Sequence, residues 1–379
     1  MAVFIVVVSV LFALYALLLL AFAIGWWLTP RFHVPAGFTP ADLISVIIPA
    51  RNEAGNIGWL LHDLSEQYFP KDLFEVILID DFSDDETVKV ASGFLPVQPL
   101  TIIRMADLPA SPHQAFKKAA LAEGIRRSSG KWIVTTDADC RLHPAWLMHL
   151  AAIAATSGRQ AIAAPVRIDP LTGALSAFQA LDFMMMQGIT AAAAKLHMGA
   201  MANGANFMFS RAAYNAVNGY EGTTGLASGD DYHLLQKIIK KYGQGPAFLM
   251  NSAAMVDTAA QPDLKSFLQQ RVRWASKSGK DSNVKITLSL AVVYLFNLSL
   301  GALWLCCLAH PHLLKAAASL LLLKILAELA LMIPLSRFFK RTELLISFPF
   351  LQVFHITYII LAGFLGLLGK YQWKGRAVK

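Results

Sequence analysis

Paired carboxylates recur along the middle of the chain at spacings that suit chemistry. Asp137 and Asp139 are separated by one residue and follow the short apolar run Trp132–Thr136. Two carboxylates at this spacing can hold a hard divalent cation, because Mg²⁺ binds one or two protein carboxylates together with substrate phosphate oxygens. A D-x-D pair alone is a weak signal, since acidic pairs are common in solvated turns. The pair therefore gains meaning only from the clusters that accompany it.

Two further acidic pairs stand where a structural element is expected to begin or end. Asp80 and Asp81 follow Phe74–Ile79, which has the length and composition of a buried strand. Asp230 and Asp231 open a stretch with helical periodicity, where a carboxylate can also serve simply as a helix cap.

A basic amphipathic segment follows the acidic pairs, just before a long apolar run. It contains Gln270, Arg271, Arg273 and Trp274. Such a segment can simply hold a chain to an anionic bilayer surface. Each simple interpretation is reasonable for one cluster, but the co-occurrence of all the clusters in this order favours a functional site.

Predicted strands and helices alternate across the region that carries these clusters. Ile44–Ala50 is a short run rich in β-branched residues, and Asn56–Tyr68 after it has helical periodicity. Phe116–Arg127 is likewise predicted to be helical and precedes the strand Trp132–Thr136. This alternation predicts an α/β fold with a parallel sheet. Polar residues after the strand ends mark the side where open α/β sheets bind ligands.

Two common phosphate-binding motifs do not occur in the sequence. No G-x-G-x-x-G follows the first predicted strand, and there is no G-x-x-x-x-G-K-[ST]. The dinucleotide-binding and P-loop interpretations therefore lose their main support. The predicted strands end in carboxylates instead.

The composition indicates a membrane protein. Of the 379 residues, 56% are hydrophobic and 15% are charged, whereas ordinary soluble domains contain roughly 25% charged residues. Disordered, collagen-like and disulfide-scaffold proteins are excluded, because the chain is apolar and has three cysteines without a paired framework. The formal charge of +8 is compatible with nucleic acid, an anionic bilayer or a phosphorylated substrate.

Long apolar runs lie at both ends of the chain. Ala2–Thr29 has no charged side chain and lacks the basic start and short apolar core of a secretory signal, so it is predicted to be a retained anchor. Three more runs, Ile286–Ala309, Ala316–Ser336 and Leu344–Gly369, follow the mixed region Arg31–Lys285. About four transmembrane helices are therefore predicted around one globular domain.

The third apolar run contains two charged residues, Lys324 and Glu328. They are four residues apart, so they share a helix face and can neutralise one another. A charge inside a span is also a candidate functional site, and both interpretations stay open.

Basic residues predict the orientation of the chain. Arg31 follows the first run, and Lys277, Lys280 and Lys285 precede the second, which predicts a cytoplasmic globular domain. Arg337, Lys340 and Arg341 fit the same side if the second and third runs form a hairpin. Four basic residues near the C-terminus would then lie outside, so either the last run is re-entrant or the rule fails here. The four are Lys370, Lys374, Arg376 and Lys379.

The ordered motifs resemble those of the membrane-bound family 2 glycosyltransferases over about Ser45–Trp274. The matching residues are Ile48-Pro49-Ala50-Arg51-Asn52-Glu53, Ile79-Asp80-Asp81-Phe82-Ser83, Lys117-Lys118-Ala119-Ala120-Leu121, Thr136-Asp137-Ala138-Asp139, Asn203-Gly204-Ala205-Asn206, Gly229-Asp230-Asp231 and Gln270-Arg271-Val272-Arg273-Trp274. The resemblance implies a GT-A (nucleotide-diphospho-sugar transferase) domain with a mostly parallel sheet. The arrangement is also similar to the ceramide glucosyltransferase branch, which suggests a lipid acceptor.

The chain is accordingly predicted to have four regions. Residues 1–29 form the N-terminal transmembrane anchor, and residues 30–260 form the cytoplasmic GT-A catalytic domain. Residues 261–285 form the basic amphipathic segment with the Q-x-x-R-W motif. Residues 286–379 form the C-terminal transmembrane helices and a basic tail. The whole is expected to be an integral protein of the cell or inner membrane.

The resemblance also implies a reaction and roles for single residues. The reaction is inverting transfer of a sugar from a nucleotide-diphosphate sugar to an acceptor hydroxyl on a lipid or lipid-linked glycan, in cell envelope glycan or glycolipid synthesis. Mg²⁺ or Mn²⁺ would be held by Asp139 with Asp137, and Asp231 would be the catalytic base. The donor or nucleotide would be bound by Pro49, Arg51, Asn52, Glu53, Asp80, Asp81, Lys117 and Asp137, and the diphosphate or acceptor by Gln270, Arg271, Arg273 and Trp274.

One departure from the family pattern affects the base. The third acidic motif is Gly-Asp-Asp here, where the family often has Glu-Asp. Asp230 and Asp231 can therefore exchange roles, because adjacent carboxylates couple their titration.

Other functions remain as alternatives. A processive polysaccharide synthase is disfavoured because three C-terminal spans make a small bundle for a polymer channel. A membrane transporter with a cytoplasmic regulatory domain is disfavoured because few charges occur in the spans. Nucleic-acid binding is the weakest alternative, since the basic residues cluster beside the membrane.

Overall fold

The computed structural model describes residues 2–94, 99–108, 116–223, 229–278, 283–367, 371–373 and 376–378. The helices are α1 Ala2–Leu28, α2 Ile57–Ser65, α3 Thr87–Ser92, α4 Phe116–Arg127, α5 Trp146–Thr156, α6 Ala174–Leu196, α7 Arg211–Ala216, α8 Asp230–Tyr242, α9 Leu264–Ser278, α10 Val284–Ala309, α11 Leu314–Phe338 and α12 Gln352–Leu367. The strands are β1 Ile44–Ala50, β2 Phe74–Asp80, β3 Leu100–Arg104, β4 Trp132–Thr135, β5 Arg141–Leu142, β6 Ala161–Ala163, β7 Val166–Ile168, β8 Phe207–Ser210, β9 Ala247–Phe248, β10 Val256–Thr258, β11 Tyr371–Trp373 and β12 Arg376–Val378.

The chain divides into two compact units. The α/β unit comprises Thr29–Pro170 and Ala200–Ala259. The helical unit comprises Met1–Leu28, Leu171–Gly199 and Ala260–Lys379.

A seven-stranded sheet forms the centre of the α/β unit. Its strand order is β3-β2-β1-β4-β8-β6-β9, and β3, β2, β1 and β4 are parallel. β8 is antiparallel to both of its neighbours, and a second sheet has the order β5-β10-β7. The predicted α/β fold with a mostly parallel sheet is therefore confirmed.

The register of β1 brings three strand ends to one edge of the central sheet. Ala50, the last residue of β1, pairs with Asp80 at the end of β2, and Ile47 pairs with Thr135 at the end of β4. Val46, Ile47 and Ile48 are fully buried, as expected for a parallel strand covered on both faces. The segments after β1, β2 and β4 consequently emerge side by side.

Among the described residues of the helical unit, three helices are long and apolar enough to cross a membrane. They are Ala2–Leu28, Val284–Ala309 and Pro311–Phe338, and each exceeds the roughly 20 residues that a span of about 30 Å requires.

The last predicted apolar run is not one continuous helix within the described residues. The apolar run Leu344–Gly369 is divided into a 3₁₀ turn, Thr342–Ile346, and the 16-residue helix α12. A helix of that length is about 24 Å long, which is shorter than the hydrocarbon core of a bilayer. Pro349 lies between the two pieces and interrupts the continuous helix that the apolar run predicts.

The segment Leu171–Gly199 groups with the helical unit, whereas the sequence assigned it to the catalytic domain of residues 30–260. Its helix α6 carries small residues that allow close approach of neighbouring helices. A Cβ on Gly188 would lie 2.5 Å from Leu335 Cδ1, and one on Gly25 of α1 would lie 2.9 Å from Ala192 Cβ. Glycine and alanine thus pack α6 tightly against α11 and α1, a pattern typical of membrane helix interfaces.

Asn206 fastens the segment before β8 to the rest of the α/β unit. Its side chain is fully buried, accepts a hydrogen bond from Trp146 Nε1 at 3.0 Å, and donates to the carbonyls of Pro165 and Ala254 at 2.9 Å each. Three separate elements are therefore joined through one amide.

We expect Asn206→Leu to lower the stability of the protein while preserving side-chain volume. The buried Trp146 N–H would lose its acceptor, at a cost of about 1–3 kcal/mol. The measurement is the midpoint of thermal unfolding of the full chain in detergent. Asn215→Leu, at an exposed position of α7, is the control and should stay within about 0.5 kcal/mol of the wild type. Equal midpoints for the two variants would contradict this role for Asn206.

Candidate active site

The loop after β1 is held against the loop after β2 by hydrogen bonds of its backbone N–H groups and of the Asn52 side chain. Asn52 N–H donates to Ser83 Oγ at 3.0 Å, and Asn52 Oδ1 accepts from Asp84 N–H at 2.8 Å. Glu53 N–H donates to Thr87 Oγ1 at 2.8 Å. Asn52 has a positive φ of 55°, a conformation that asparagine tolerates better than most residues. The two loops therefore form one rigid polar edge.

Asp80 and Asp81 lie at the base of this edge, and both are buried. Asp80 Oδ1 accepts a hydrogen bond from Ser83 N–H at 3.3 Å, which closes the turn after β2. Asp81 N–H donates to Ala50 O at 2.8 Å, and Arg51 Nη1 donates to Asp81 O at 3.4 Å. Pro49 is the next-to-last residue of β1. The structure thus brings together the predicted donor-binding residues of the first two motifs.

A second cluster forms after β4, around the ammonium group of Lys117. Lys117 Nζ lies 2.7 Å from Asp137 Oδ1 and 3.9 Å from Asp230 Oδ2. Asp137 follows β4, Lys117 is near the start of α4 and Asp230 begins α8. Three motifs that are far apart in the sequence therefore meet at one point.

Gly204 lies against this cluster, with little room for a side chain beside Asp230. A Cβ at this position would lie 3.3 Å from Asp230 Oδ2, 3.7 Å from Lys117 Nζ and 3.8 Å from Asp231 Oδ2. Gly204 N–H donates to Asp231 Oδ2 at 2.9 Å, and Thr135 Oγ1 donates to Gly204 O at 2.7 Å. The Asn203–Asn206 turn is thereby tied both to β4 and to the third acidic motif.

Electrostatics keep Lys117 charged. Burial by itself would lower the pKa of its ammonium group, but Asp137, Asp230 and Asp231 outweigh that effect and raise the pKa well above its usual range. The cluster therefore presents one fixed positive charge among three carboxylates.

Asp139 lies on the same turn as Asp137, beside β10. Its Oδ2 accepts a hydrogen bond from Thr258 Oγ1 at 3.3 Å. Among the described residues, no group of three or more histidine, cysteine or acidic side chains could hold a metal ion alone. The donor set nevertheless fits Mg²⁺ or Mn²⁺, because such ions bind one or two carboxylates and complete their shell with water and phosphate oxygens.

The Q-x-x-R-W motif lies on α9 of the helical unit. The Arg271 guanidinium is 4% exposed, forms an ion pair with Asp182 Oδ2 at 2.7 Å, and stacks on Trp274 with 4.3 Å between its central carbon and the ring centroid. Asp182 also accepts a hydrogen bond from Tyr358 OH. Gln270 and Arg273 are half-buried on the same helix. Arg271 thus contacts the interior of the helical unit, which the sequence did not predict.

Several residues of these clusters were not identified from the sequence. Gly204 was noted only as part of a motif, and Thr135, Thr258 and Asp182 were not singled out. Asp182 had a usable signal, because it is one acidic residue in an Ala- and Met-rich helix and such a group needs a partner when buried.

Comparison with known families agrees with this geometry. Residues 45–217 match the model for glycosyl transferase family 2, and residues 132–366 match that for glycosyl transferase family group 2. The chain belongs to the family 2 glycosyltransferases. The family resemblance and the enzyme class predicted from the motifs are confirmed.

Individual relatives match parts of this glycosyltransferase. Glycosyltransferase AglE of Haloferax volcanii is 36% identical over 104 residues, which are 27% of this chain and 33% of that protein. Dolichyl-phosphate beta-glucosyltransferase of Dictyostelium discoideum is 37% identical over 103 residues, 25% of this chain and 30% of that protein. The match thus spans about a third of the length of these relatives.

A solved structure supports the fold over nearly the whole enzyme. The mannosyltransferase PcManGT from Pyrobaculum calidifontis, solved with GDP-Man and Mn²⁺, superposes with a TM-score of 0.55 at 20% identity. The match covers 93% of this chain and 99% of that chain. The predicted GT-A fold is confirmed.

We expect Gly204→Ala to reduce sugar transfer by up to about 10-fold, because a displacement of about 1 Å can cost about 10²-fold and the shift needed here is smaller. The added methyl group would crowd Asp230, whose Oδ2 lies 3.3 Å from the position of the Cβ. The comparison variant is Gly55→Ala, where a Cβ has no atom within 4 Å, and it should transfer sugar at the wild-type rate. Turnover would be measured with purified variants of equal thermal stability. A fully active Gly204→Ala enzyme would show that the close approach at Gly204 is not needed.

Proposed function

We propose that this glycosyltransferase moves a sugar from a nucleotide-diphosphate donor to a hydroxyl of a lipid or lipid-linked glycan, with inversion at the anomeric carbon. The observation that carries the proposal is the convergence of Lys117, Asp137, Asp230 and Asp231 around Gly204. This cluster combines a fixed cation, a D-x-D carboxylate and a candidate base at one edge of the sheet.

The nucleotide is proposed to bind at the polar edge formed by the loops after β1 and β2. Asp81 would accept a hydrogen bond from the nucleobase, and Pro49–Glu53 would line the same pocket. Both loops are fixed by their mutual hydrogen bonds, so little conformational entropy would be lost when the nucleotide binds.

The diphosphate is proposed to lie over the turn that contains Asp137 and Asp139. Mg²⁺ or Mn²⁺ held there would act as a Lewis acid for the departing diphosphate. Lys117 would supply further positive charge from the side of Asp137. The family resemblance also assigns Arg273 to the diphosphate, whereas Arg271 forms an ion pair with Asp182.

Asp231 is proposed to be the general base. Its Oδ2 accepts from Gly204 N–H at 2.9 Å and its Oδ1 from Tyr232 N–H at 2.7 Å, so the carboxylate has a fixed orientation. Asp230 instead lies 3.9 Å from the Lys117 ammonium group. Asp231 would take the proton from the acceptor hydroxyl as the bond to the sugar forms, and the nucleoside diphosphate would leave from the opposite face.

The membrane setting supports a lipid-linked acceptor and a cytoplasmic catalytic site. Three helices are long and apolar enough to span a bilayer, and one relative is named for dolichyl phosphate. Arg31 and Lys285 flank α1 and α10 on the side of the α/β unit in the sequence, and the positive-inside rule places such residues in the cytoplasm.

The proposed reaction can be tested by a donor screen on membranes that contain the protein. Released nucleoside diphosphate would be measured for a panel of UDP- and GDP-sugars, with and without lipid extract. Release that depends on both a nucleotide-sugar and lipid would support the proposal. Sugar transfer from a sugar-1-phosphate, with no requirement for a nucleotide, would contradict it.

We expect activity to require a divalent cation through Asp139. Asp139→Asn should abolish turnover and remove the dependence of donor binding on Mg²⁺ or Mn²⁺, because the amide lacks the charge that a hard cation prefers. Donor affinity would be titrated with and without metal. Asp72→Asn, at an exposed position before β2, is the control and should behave as the wild type. Full activity in excess chelator would contradict the metal assignment.

We expect Asp231→Asn to reduce turnover by about 10²–10⁴-fold, the usual contribution of a general base. Donor affinity should change little, because the nucleotide contacts are proposed to lie at Asp81, Asp137 and Asp139. Asp230→Asn would be measured beside it. A collapse of turnover in Asp230→Asn alone would transfer the role to Asp230, and near-normal turnover in both would refute the base mechanism.

A further inference from the structure

Five polar side chains meet inside the helical unit at the start of α12. We call Tyr15, Lys324, Glu328, Gln352 and His355 the polar layer. Lys324 Nζ donates to Glu328 Oε1 at 2.6 Å and to Gln352 Oε1 at 2.5 Å, and it lies 3.3 Å from His355 Nδ1. Gln352 Nε2 donates to Glu328 Oε2 at 2.7 Å, and Tyr15 OH donates to Glu328 Oε1 at 2.5 Å. The layer therefore joins α1, α11 and α12.

The polar layer lies near the middle of α11. At a rise of 1.5 Å per residue, Lys324 is about 15 Å from the start of α11 at Leu314, and Glu328 is about 15 Å from its end at Phe338. Gln352 is the first residue of α12, and its side chain bonds to both of them, so the polar layer links the start of α12 to the middle of α11. The chain thus returns to the centre of the helical unit within 14 residues of the end of α11.

From this point α12 runs back along α10. A Cβ on Gly301 of α10 would lie 2.9 Å from Ile360 Cδ1, and a Cβ on Gly363 would meet the ring of Tyr294. As residue numbers rise along α12, the neighbouring residue numbers on α10 therefore fall, so the two helices are antiparallel. α10 and α11 form a hairpin joined at Pro311–Leu313. Consequently α12 heads toward the side where α10 begins and α11 ends.

We propose that Thr342–Leu367 is a re-entrant membrane segment surrounded on its outer face by lipid acyl chains. The chain leaves the bilayer after α11, turns back in as far as the polar layer, and returns with α12 to the side that it left. This inference concerns the membrane topology and goes beyond the proposed sugar transfer.

The surface of the segment suits acyl chains. Phe350 is 81% exposed and Val353 is 69% exposed, and Phe364 is exposed farther along α12. Large exposed apolar side chains in succession mark a surface that is covered by another apolar phase. The same exposure occurs along α1, α10 and α11, so the outer face of α12 continues the surface of helices that are long enough to span.

The backbone of the re-entrant turn also meets the requirements of a bilayer. Backbone hydrogen bonds must be satisfied internally where water is absent. Phe350 N–H and Leu351 N–H both donate to Ser347 O, at 3.1 and 3.2 Å, and Gln352 N–H donates to Pro349 O at 3.4 Å. These backbone N–H groups at the start of α12 therefore have acceptors within the turn itself.

A re-entrant α12 also removes the conflict in the distribution of basic residues. If α12 crossed the bilayer, the basic C-terminal tail would lie opposite Arg337, Lys340 and Arg341. With a re-entrant α12 the tail lies on the same side as these residues, in agreement with the positive-inside rule. The tail residues concerned are Lys370, Lys374, Arg376 and Lys379.

The test is labelling of single cysteines with a membrane-impermeant maleimide. Cys140, Cys306 and Cys307 are first replaced by serine, and the full chain is studied in sealed vesicles of both orientations. Four positions are then substituted one at a time: His312→Cys, Lys340→Cys, Val353→Cys and Lys379→Cys. Retained sugar transfer, or a wild-type thermal midpoint if no donor has been found, verifies that each variant is folded.

We expect Lys379→Cys and Lys340→Cys to react from the same side and His312→Cys from the other. Val353→Cys should react only after detergent is added, because its side chain faces acyl chains. Labelling of Lys379→Cys from the side of His312→Cys would overturn the proposal, since α12 would then cross. Labelling of all three polar positions from one side, or rapid labelling of Val353→Cys in sealed vesicles, would also overturn it. None of these outcomes depends on which sugar or acceptor the enzyme uses.

Discussion

β1 pairs in parallel with β2 on one side and with β4 on the other, so three strands end at the same edge of the central sheet. The segments that follow these strands carry the first three polar motifs of the chain. The motifs are separated by about 30 and 50 residues in the sequence. They lie next to one another in the structure because the parallel strands that precede them point the same way. Without this pairing order the side chains of the candidate site would not meet, whatever their individual positions on strands or helices.

The cluster around Lys117 combines several motifs because its ammonium group needs carboxylates to balance its charge. Lys117 is half-buried, and an ammonium group that loses part of its hydration without a partner is costly. Asp137 at 2.7 Å and Asp230 at 3.9 Å compensate that cost. Lys117 and the three carboxylates together carry a net negative charge, so in the proposed mechanism the diphosphate would bind here together with the divalent cation held by Asp139 and Asp137.

The fold class and the family could be predicted because their signals are local. Alternating β-branched and amphipathic stretches are visible in the sequence, and the carboxylate motifs stand directly after the predicted strands. Gly204 could not be singled out in this way. The atoms that a Cβ at this position would meet belong to residues of α4 and α8, which are distant from Gly204 in the sequence. Arg271 shows a second limit, because its partner Asp182 lies almost 90 residues earlier, in a helix whose apolar composition conceals one acid.

In the proposed re-entrant topology, the last apolar run would not add a fourth span although its composition predicts one. Length and hydropathy count residues, but crossing a bilayer also requires a continuous helix directed from one face to the other. Pro349 interrupts the run, and Gln352 directly after it has both amide atoms bonded to the Lys324–Glu328 pair. A polar side chain within the helical unit is stable only where it has hydrogen-bond partners. The Lys324–Glu328 pair provides both kinds, because Lys324 donates to the amide oxygen of Gln352 and Glu328 accepts from its amide nitrogen. The buried ion pair of α11 thus has a specific structural consequence: it binds the first residue of α12, and from there α12 runs back toward the end of α11.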